Sequence, residues 1–419
     1  MAGKKYYTNS PIKLKVMSRH YLYLLIILIG ARVFTSCTNY TIGQQPIDDI
    51  APDPVKDIQI ENTPGGAIIT YTLPDANDLL YVKGTYTLKD NIVAEAKTSL
   101  YNDTLKVRGF GDEEPKDVAI VTVDRSGNTS VPVTVTIHPL TPPVMSVAET
   151  LKMKATAGGI VTTWDNPLRA ELTVHVQKVN SNQEWETQET FYSAAKIGQG
   201  ALFGQPSYPQ NYRCFIQDRW GNRSPYLVDE LTPGYEIEFD KTLFKDAHMN
   251  RDSPYFPGWQ IGFMWDGKYG NNAYAGLSTI GDDKWPQTVT FDLGVRGRIS
   301  RIKLFQRGWE YLYIEGNMKK FEIYGATEEN YVENLEKWTK LGTFTSIKPS
   351  GLPFGRTNED DRNLALVNGE DHLFPEELED GSQPPVIRYV CIRCLETWAG
   401  GGNFQIGEIF VYGNSIEKL

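Results

Sequence analysis

Rings set beside glycines and planar polar groups are where this chain of 419 residues could do chemistry. Pro257-Gly258-Trp259, Tyr269-Gly270-Asn271-Asn272 with Tyr274, Arg307-Gly308-Trp309-Glu310-Tyr311 and Trp398-Ala399-Gly400-Gly401-Gly402-Asn403 are four such stretches. An open ring offers apolar area for stacking, and a guanidinium or amide next to it can fix hydroxyls. Sugars, with C–H faces and fixed hydroxyls, ask for that pairing. Trp259, Tyr269, Tyr274, Arg307, Trp309, Tyr311, Trp398 and Asn403 are therefore the candidates for ligand contact. Trp398 is the clearest, because its glycines leave little around the ring to bury it. Packing is the alternative for Trp259, Trp309 and Trp398, and Arg307 either bonds hydroxyls or pairs with a neighbouring acid.

Other chemistries find less footing. Cys391-Ile392-Arg393-Cys394 has redox or zinc spacing, but in a strand residues three apart face opposite ways and no second pair follows. Four cysteines make no disulfide framework, and five scattered histidines make no metal centre. Residues 1–36 hold six Lys/Arg and no acid, which leaves 36 basic against 52 acidic residues in the rest, a net charge of −16. A body that acidic repels phosphate backbones, so nucleic acid is excluded as a partner. No nucleophile elbow, zinc helix or phosphate loop is present, and no unassigned segment is large enough for a hydrolase domain. The reading is of a non-enzyme needing no cofactor.

The elements that must position these residues are strands. Asp124-Arg125-Ser126-Gly127-Asn128-Thr129-Ser130 recurs as Asp218-Arg219-Trp220-Gly221-Asn222-Arg223-Ser224, and Gly65 to Tyr71 recurs as Gly158 to Trp164. Both pairs agree on a tandem repeat of about 94 residues. Short β-branched segments, Ile68 to Leu73, Val118 to Asp124 and Val131 to Ile137, then Ile160 to Trp164 and Leu172 to Val179, alternate with turns in which Gly-Asn favours left-handed backbone. That is the pattern of an all-β immunoglobulin or fibronectin type III-like sandwich, twice over. Trp164 is the counterpart of Tyr71 and belongs to a core, with a binding role for Trp164, Trp185 or Trp220 as the alternative. Prolines at 52, 54, 139, 142, 143 and 233 stiffen the joints. Six of the nine tryptophans follow residue 258. Thr288 to Leu293, Ile299 to Gln306, Lys320 to Tyr324, Ile387 to Leu395 and Ile406 to Tyr412 read as strands of a third β domain, no amphipathic helix of ten or more residues is convincing, the best candidate being Glu328 to Lys337, and the acids at 359–361, 376–377 and 379–380 read as a solvated insertion.

At the N-terminus, five cations precede the apolar run Tyr21 to Ala31, which as a helix spans about 16 Å against a hydrocarbon core of about 30 Å. It reads as an export signal of residues 1–36, with Met17 an alternative start. Ser36-Cys37 resembles the processing site of bacterial lipoproteins, although Phe34 stands where that family has an aliphatic. The resemblance implies that Cys37 becomes lipidated and anchors the chain to a membrane; an ordinary secretory signal is the alternative. Residues 37–53 read as a tether.

Two further resemblances organise the rest. Residues 54–140 and 141–233 resemble the fibronectin type III-like modules of surface lipoproteins from polysaccharide-utilising Bacteroidetes. Residues 234–419 resemble the discoidin, galactose-binding-like jelly roll that includes family 32 carbohydrate-binding modules. The latter rests on Trp265-Asp266-Gly267, on Val289 to Gly294 leading into Ile299 to Arg307, on Gly316 to Gly325, and on Arg388 to Arg393 with Ile406 to Gly413. It implies a sugar site on the loops, core roles for Trp265 and Trp285, and a structural calcium beside Asp266. The family also implies an outer-membrane, cell-surface location and two partners, a glycan transporter and its lid lipoprotein. An adhesin or assembly factor gripping a protein is the second reading: rings spread over a broad surface would favour it, and a few rings around one concavity would favour sugar.

Overall fold

The structure is a computed structural model that describes residues 48–271, 276–281, 285–328 and 330–418. Cys37 and Tyr274 lie outside the described residues, as does the side chain of Trp309. The fold is all-β, as the sequence pattern implies.

The two repeat copies fold alike. In the first, Lys56–Thr63, Gly66–Thr72 and Thr104–Arg108 form a three-strand sheet packed on a four-strand sheet of Val93–Ser99, Leu79–Thr87, Lys116–Asp124 and Val133–Ile137. In the second, Lys152–Thr156, Gly159–Asp165 and Ile197–Phe203 face Trp185–Ser193, Leu172–Val179, Gln210–Asp218 and Leu227–Leu231 in the same strand order. Alternation of apolar and polar residues puts one face of each strand inward. Tyr71 packs with Ile69, Leu105 and Ile120 in the first core, and Trp164 packs with Val174, Tyr212 and Ile216 in the second.

The third domain turns on one strand, Gln287–Phe305. Its first half pairs with Ile387–Thr397 and its second with Glu408–Lys418 and Glu370–Leu373, so the two layers of the sandwich share it. The sequence suggests two strands here with a turn between. The glycines at 294 and 297 make a corner instead, bending the ladder with register shifts and not ending it. Gly294 has a φ of +68°, and a Cβ there would meet the Leu243 carbonyl at 2.5 Å. Both layers feed one core, from Val289 and Phe291 to Ile323, Ile392, Ile409 and Val411. Trp265 and Trp285 pack against it. Cys394 enters this core while Cys391 enters a small cluster with Trp338 and Ala326 on the opposite face, as strand alternation requires.

Among the described residues of 328–337 only Leu335–Lys337 is helical, and Tyr331 stacks on Tyr389 at 3.9 Å, against the sheet. One expectation needs correction. The acidic stretch at 359–361 is not wholly solvated. Asp361 is fully buried, accepting from Ser350 N and Oγ at 2.9 and 2.7 Å, and it closes a capping box with Asn358 over the short helix Glu359–Arg362.

The repeated turn closes the joints. Asn222 Nδ2 donates to Asp218 Oδ2 at 2.8 Å within its own turn and to the Gly109 carbonyl of the first sandwich at 3.0 Å. Trp220 lies so close that a Cβ on Gly109 would meet its indole at 2.8 Å. In the first copy, Asn128 Nδ2 donates to Asp124 Oδ2 at 2.9 Å and to the Asp48 carbonyl at 3.1 Å. At the last joint, buried Arg301 lies 3.9 Å from the Phe203 ring of the second sandwich and 3.5 Å from Tyr412, paired with Glu236 at 2.9 Å and Asp371 at 2.6 Å.

Candidate functional site

At one end of the third domain the segments 256–271, 306–317, 358–368 and 397–405 meet. Backbone contact brings the first two together: a Cβ on Gly308 would sit 2.1 Å from the Gly270 carbonyl, so only glycine permits the approach. Gly267 N donates to both oxygens of the buried Glu408 carboxylate, at 3.1 and 3.2 Å, which fixes the turn carrying Tyr269 and Asn271. Burial pushes the Glu408 carboxyl up, against the pull of Lys241 bonded to it.

The loop after Arg307 is held under backbone strain. Tyr313 and Glu315, neither of them glycine, take φ of +54° and +48°. Tyr313 N donates to Asn317 Oδ1 at 2.9 Å, Trp398 N to the Asn317 carbonyl at 2.9 Å and Ala399 N to the Glu315 carbonyl at 3.1 Å, tying this loop to the one at 397–405. Beneath lies a buried polar group. Gln306 Nε2 donates to Glu370 Oε1 at 3.1 Å and Tyr313 Oη does so at 3.4 Å. Burial raises Glu370 to about 7 and lowers His372 to about 4. The two stand 3.8 Å apart, close enough for an ion pair, yet between those values both are neutral.

The resulting surface has two parts. One is a stack: the Arg307 guanidinium sits 4.0 Å from the Tyr311 ring and 5.0 Å from Trp259, both half-buried. The other is a cleft of about 480 Å³ lined by Gly270, Asn271, Glu310, Arg362, Leu366 and Val367. Leu366 and Val367 supply apolar wall, and Asn271, Glu310 and Arg362 supply an amide, a carboxylate and a guanidinium. Glu310 is the one carboxylate in that lining.

The predicted residues divide accordingly. Trp259, Arg307 and Tyr311 come together. Tyr269 is adjacent, its ring leaning on Phe305 at 4.2 Å with about 40% of the residue exposed. Trp398 does not stand clear as its glycines suggest. Gly400 and Gly402 take left-handed turns, and the indole packs edge-on to Tyr313 at 5.0 Å, beside Leu312 and Leu366. Asn403 spends its amide on Ser278 Oγ at 3.0 Å. Asp266 accepts from Lys268 N and Nζ at 2.9 and 3.0 Å. The one grouping of three metal-ligating side chains among the described residues is Asp48, Asp78 and Asp124, where the chain enters the first sandwich, and it does not include Asp266. Sequence reasoning missed Arg362, Leu366 and Val367, which follow the Asn358-x-x-Asp361 capping box inside the stretch read as solvated.

Three family models, each described as a domain of unknown function, match the chain: DUF4959 over residues 52–139, DUF5126 over 140–242 and DUF5000 over 265–413. No curated protein matches it. Among solved structures, it is similar to "SusE-like protein BT2857" at 27% identity, covering 65% of this chain and 99% of that one with a TM-score of 0.40. A two-domain fibronectin type III segment of chicken tenascin matches at 14% identity over 43% of this chain and 99% of that one, TM-score 0.22. A structure titled "GH31 CBM32-2 bound to GalNAc" matches at 14% identity over 41% of this chain and 96% of that one, TM-score 0.26. The scores are too low for any of the three to lend its ligand to this chain.

Proposed function

We propose that the loop end of the third domain binds carbohydrate without turning it over, and that the protein is a lipid-anchored component of the outer membrane, exposed at the cell surface, that captures glycan for uptake. The observation that carries this reading is the pairing of a cleft of about 480 Å³ with the Trp259, Arg307 and Tyr311 stack. Two rings stacked beside a single cleft, and not spread over a broad surface, favour a glycan over the adhesin reading. Glycoside hydrolysis requires two flanking carboxylates, whereas Glu310 alone lines this cleft. Cys37 supplies the anchor on this reading, and a transporter with its lid lipoprotein supplies the route inward.

A glycan array on the full chain, followed by calorimetry with Tyr311→Ala, tests it. Removing a stacking ring should cost about 1–3 kcal/mol, or about 5- to 150-fold in affinity, with the fold intact. Unchanged affinity in that variant and in Arg362→Ala would place the sugar elsewhere.

A further inference from the structure

We propose that the groove between the two small sandwiches, with the sheet face it opens onto, is a second carbohydrate-binding surface, one that takes a chain bearing carboxylate or sulfate groups. The groove, about 300 Å³, is lined by Lys89, Lys116, Asn222 and Arg223 around Phe110. Asp112, its one acid, is already paired with Lys116 at 2.8 Å.

From Arg223 a continuous run of rings and guanidinium groups crosses the four-strand sheet of the second sandwich. Arg223 lies over Phe215 at 5.3 Å, and Tyr226 meets Phe215 edge-on at 5.2 Å. Arg213 then lies between Tyr226 at 4.0 Å and Trp185 at 4.5 Å. The two arginines are hydrogen-bonded to neutral Gln177 and Gln217, at 2.6 and 2.7 Å, and neither forms an ion pair among the described residues. In cross-strand register Thr173, His175 and Gln177 sit opposite Gln217, Phe215 and Arg213 on one side and Tyr192, Thr190 and Thr187 on the other, with no carboxylate among them. Glu230, opposite Asn211, marks the far end.

The fold does not demand this run. In the first sandwich, 94 residues earlier, Ala119 and Val121 stand where Arg213 and Phe215 do. Of the two acids on that face, Glu95 is held by Lys83 at 3.3 Å and Lys97 at 3.0 Å, and Asp117 accepts from Thr136 Oγ1 at 2.7 Å. Two guanidinium groups with no carboxylate partner make this face locally positive against the overall acidity of the chain, and their planar forks suit carboxylate or sulfate. Tyr226, 47% exposed, and half-buried Trp185 suit sugar C–H faces, whereas Phe215 and Phe110 are buried. Its accessible members, exposed Arg223 and Tyr226 with half-buried Arg213 and Trp185, form a strip and not a broad apolar face, which fits a linear polymer better than a globular partner needing roughly 800 Å² per side.

The test does not depend on the loop site. The full chain in detergent is titrated with an oligomer of polygalacturonate, with its methyl ester of equal length, and with dextran sulfate. The acid form or the sulfate should bind with strong salt dependence, and the ester about tenfold or more weakly. Arg213→Gln with Arg223→Gln should lose about 10- to 100-fold with an unchanged unfolding midpoint, while Tyr311→Ala binds as wild type. Failure of both anionic chains to bind, equal affinity for acid and ester, or loss in Tyr311→Ala but not in the arginine pair would each overturn the proposal. So would retention of a membrane protein by wild type and not by the arginine variant, with no anionic chain bound.

Discussion

The two sandwiches share strand order, core position and turn, yet present opposite outer faces. In the first, Lys83 and Lys97 share Glu95, and Asp117 stands on the same face, so the charges of the four-strand sheet sum to zero. In the second, Arg213 and Arg223 keep theirs and are braced by Trp185, Tyr226 and Phe215. The inward residues answer to packing and so resemble one another, whereas the outward residues answer to whatever meets them. The turns teach the same lesson: Asn128 and Asn222 make equivalent bonds at home and then hold different things, the entering chain in one case and a neighbouring module in the other.

Several experiments would break or sharpen this contrast. The largest effect belongs to what the copies share. Tyr71→Ala and Trp164→Ala should each cost about 3–5 kcal/mol by denaturant unfolding, and a small loss at either would end the equivalence of the cores. Acidity separates the third domain from both. From pH 4.5 to about 7 the fold keeps a proton on Glu370 that the unfolded chain has released, so this contribution falls as pH rises. From about 4 to 6.5 the unfolded chain protonates His372 and the fold does not, so that contribution rises, and over most of the range the two offset. Glu370→Gln should therefore gain on wild type as pH rises from 4.5 to 7, by up to about 3 kcal/mol. A flat difference curve would mean that Glu370 is ionised in the fold.

Smaller effects test the turns and faces. Asn222→Ala, which leaves the buried Gly109 carbonyl unpaired, should cost about 1–3 kcal/mol and loosen the joint by small-angle scattering. Asn128→Ala, whose outside acceptor belongs to the exposed Asp48, should cost less, about 1 kcal/mol. Equal costs would mean that the two turns carry equal loads. Smallest of all, Ala119→Arg with Val121→Phe should shift stability by about 0.5 kcal/mol or less, since outward positions of the first copy are not committed to packing.

Strands and the repeat were legible because alternation and turn chemistry are local. Leu172–Val179 matches its expected span, and Gly127 and Gly221 take the left-handed φ of +88° and +83° that Gly-Asn suggests. The long bent strand was not legible, since glycines at 294 and 297 look the same in a corner as in a turn. At the candidate site, Trp259, Arg307 and Tyr311 were found because rings beside glycine announce themselves. Arg362, Leu366 and Val367 were missed because acids beside them suggested solvent, although the Asn358 and Asp361 spacing announces a cap. Trp398 is half-buried, as Trp259 and Tyr311 are, and packs on Tyr313, since glycines free a loop to fold back as readily as to stand open.

The Asp-x-x-Gly-Asn turn has a consequence for how such chains grow. Its donor half lies within one module, and its acceptor half is a main-chain carbonyl, Gly109 in one case and Asp48 in the other. Any upstream segment offers such a carbonyl whatever its side chains are. A coupling of this kind lets a module be duplicated and added without a new complementary surface evolving first, and the reach of the chain then becomes a matter of counting copies.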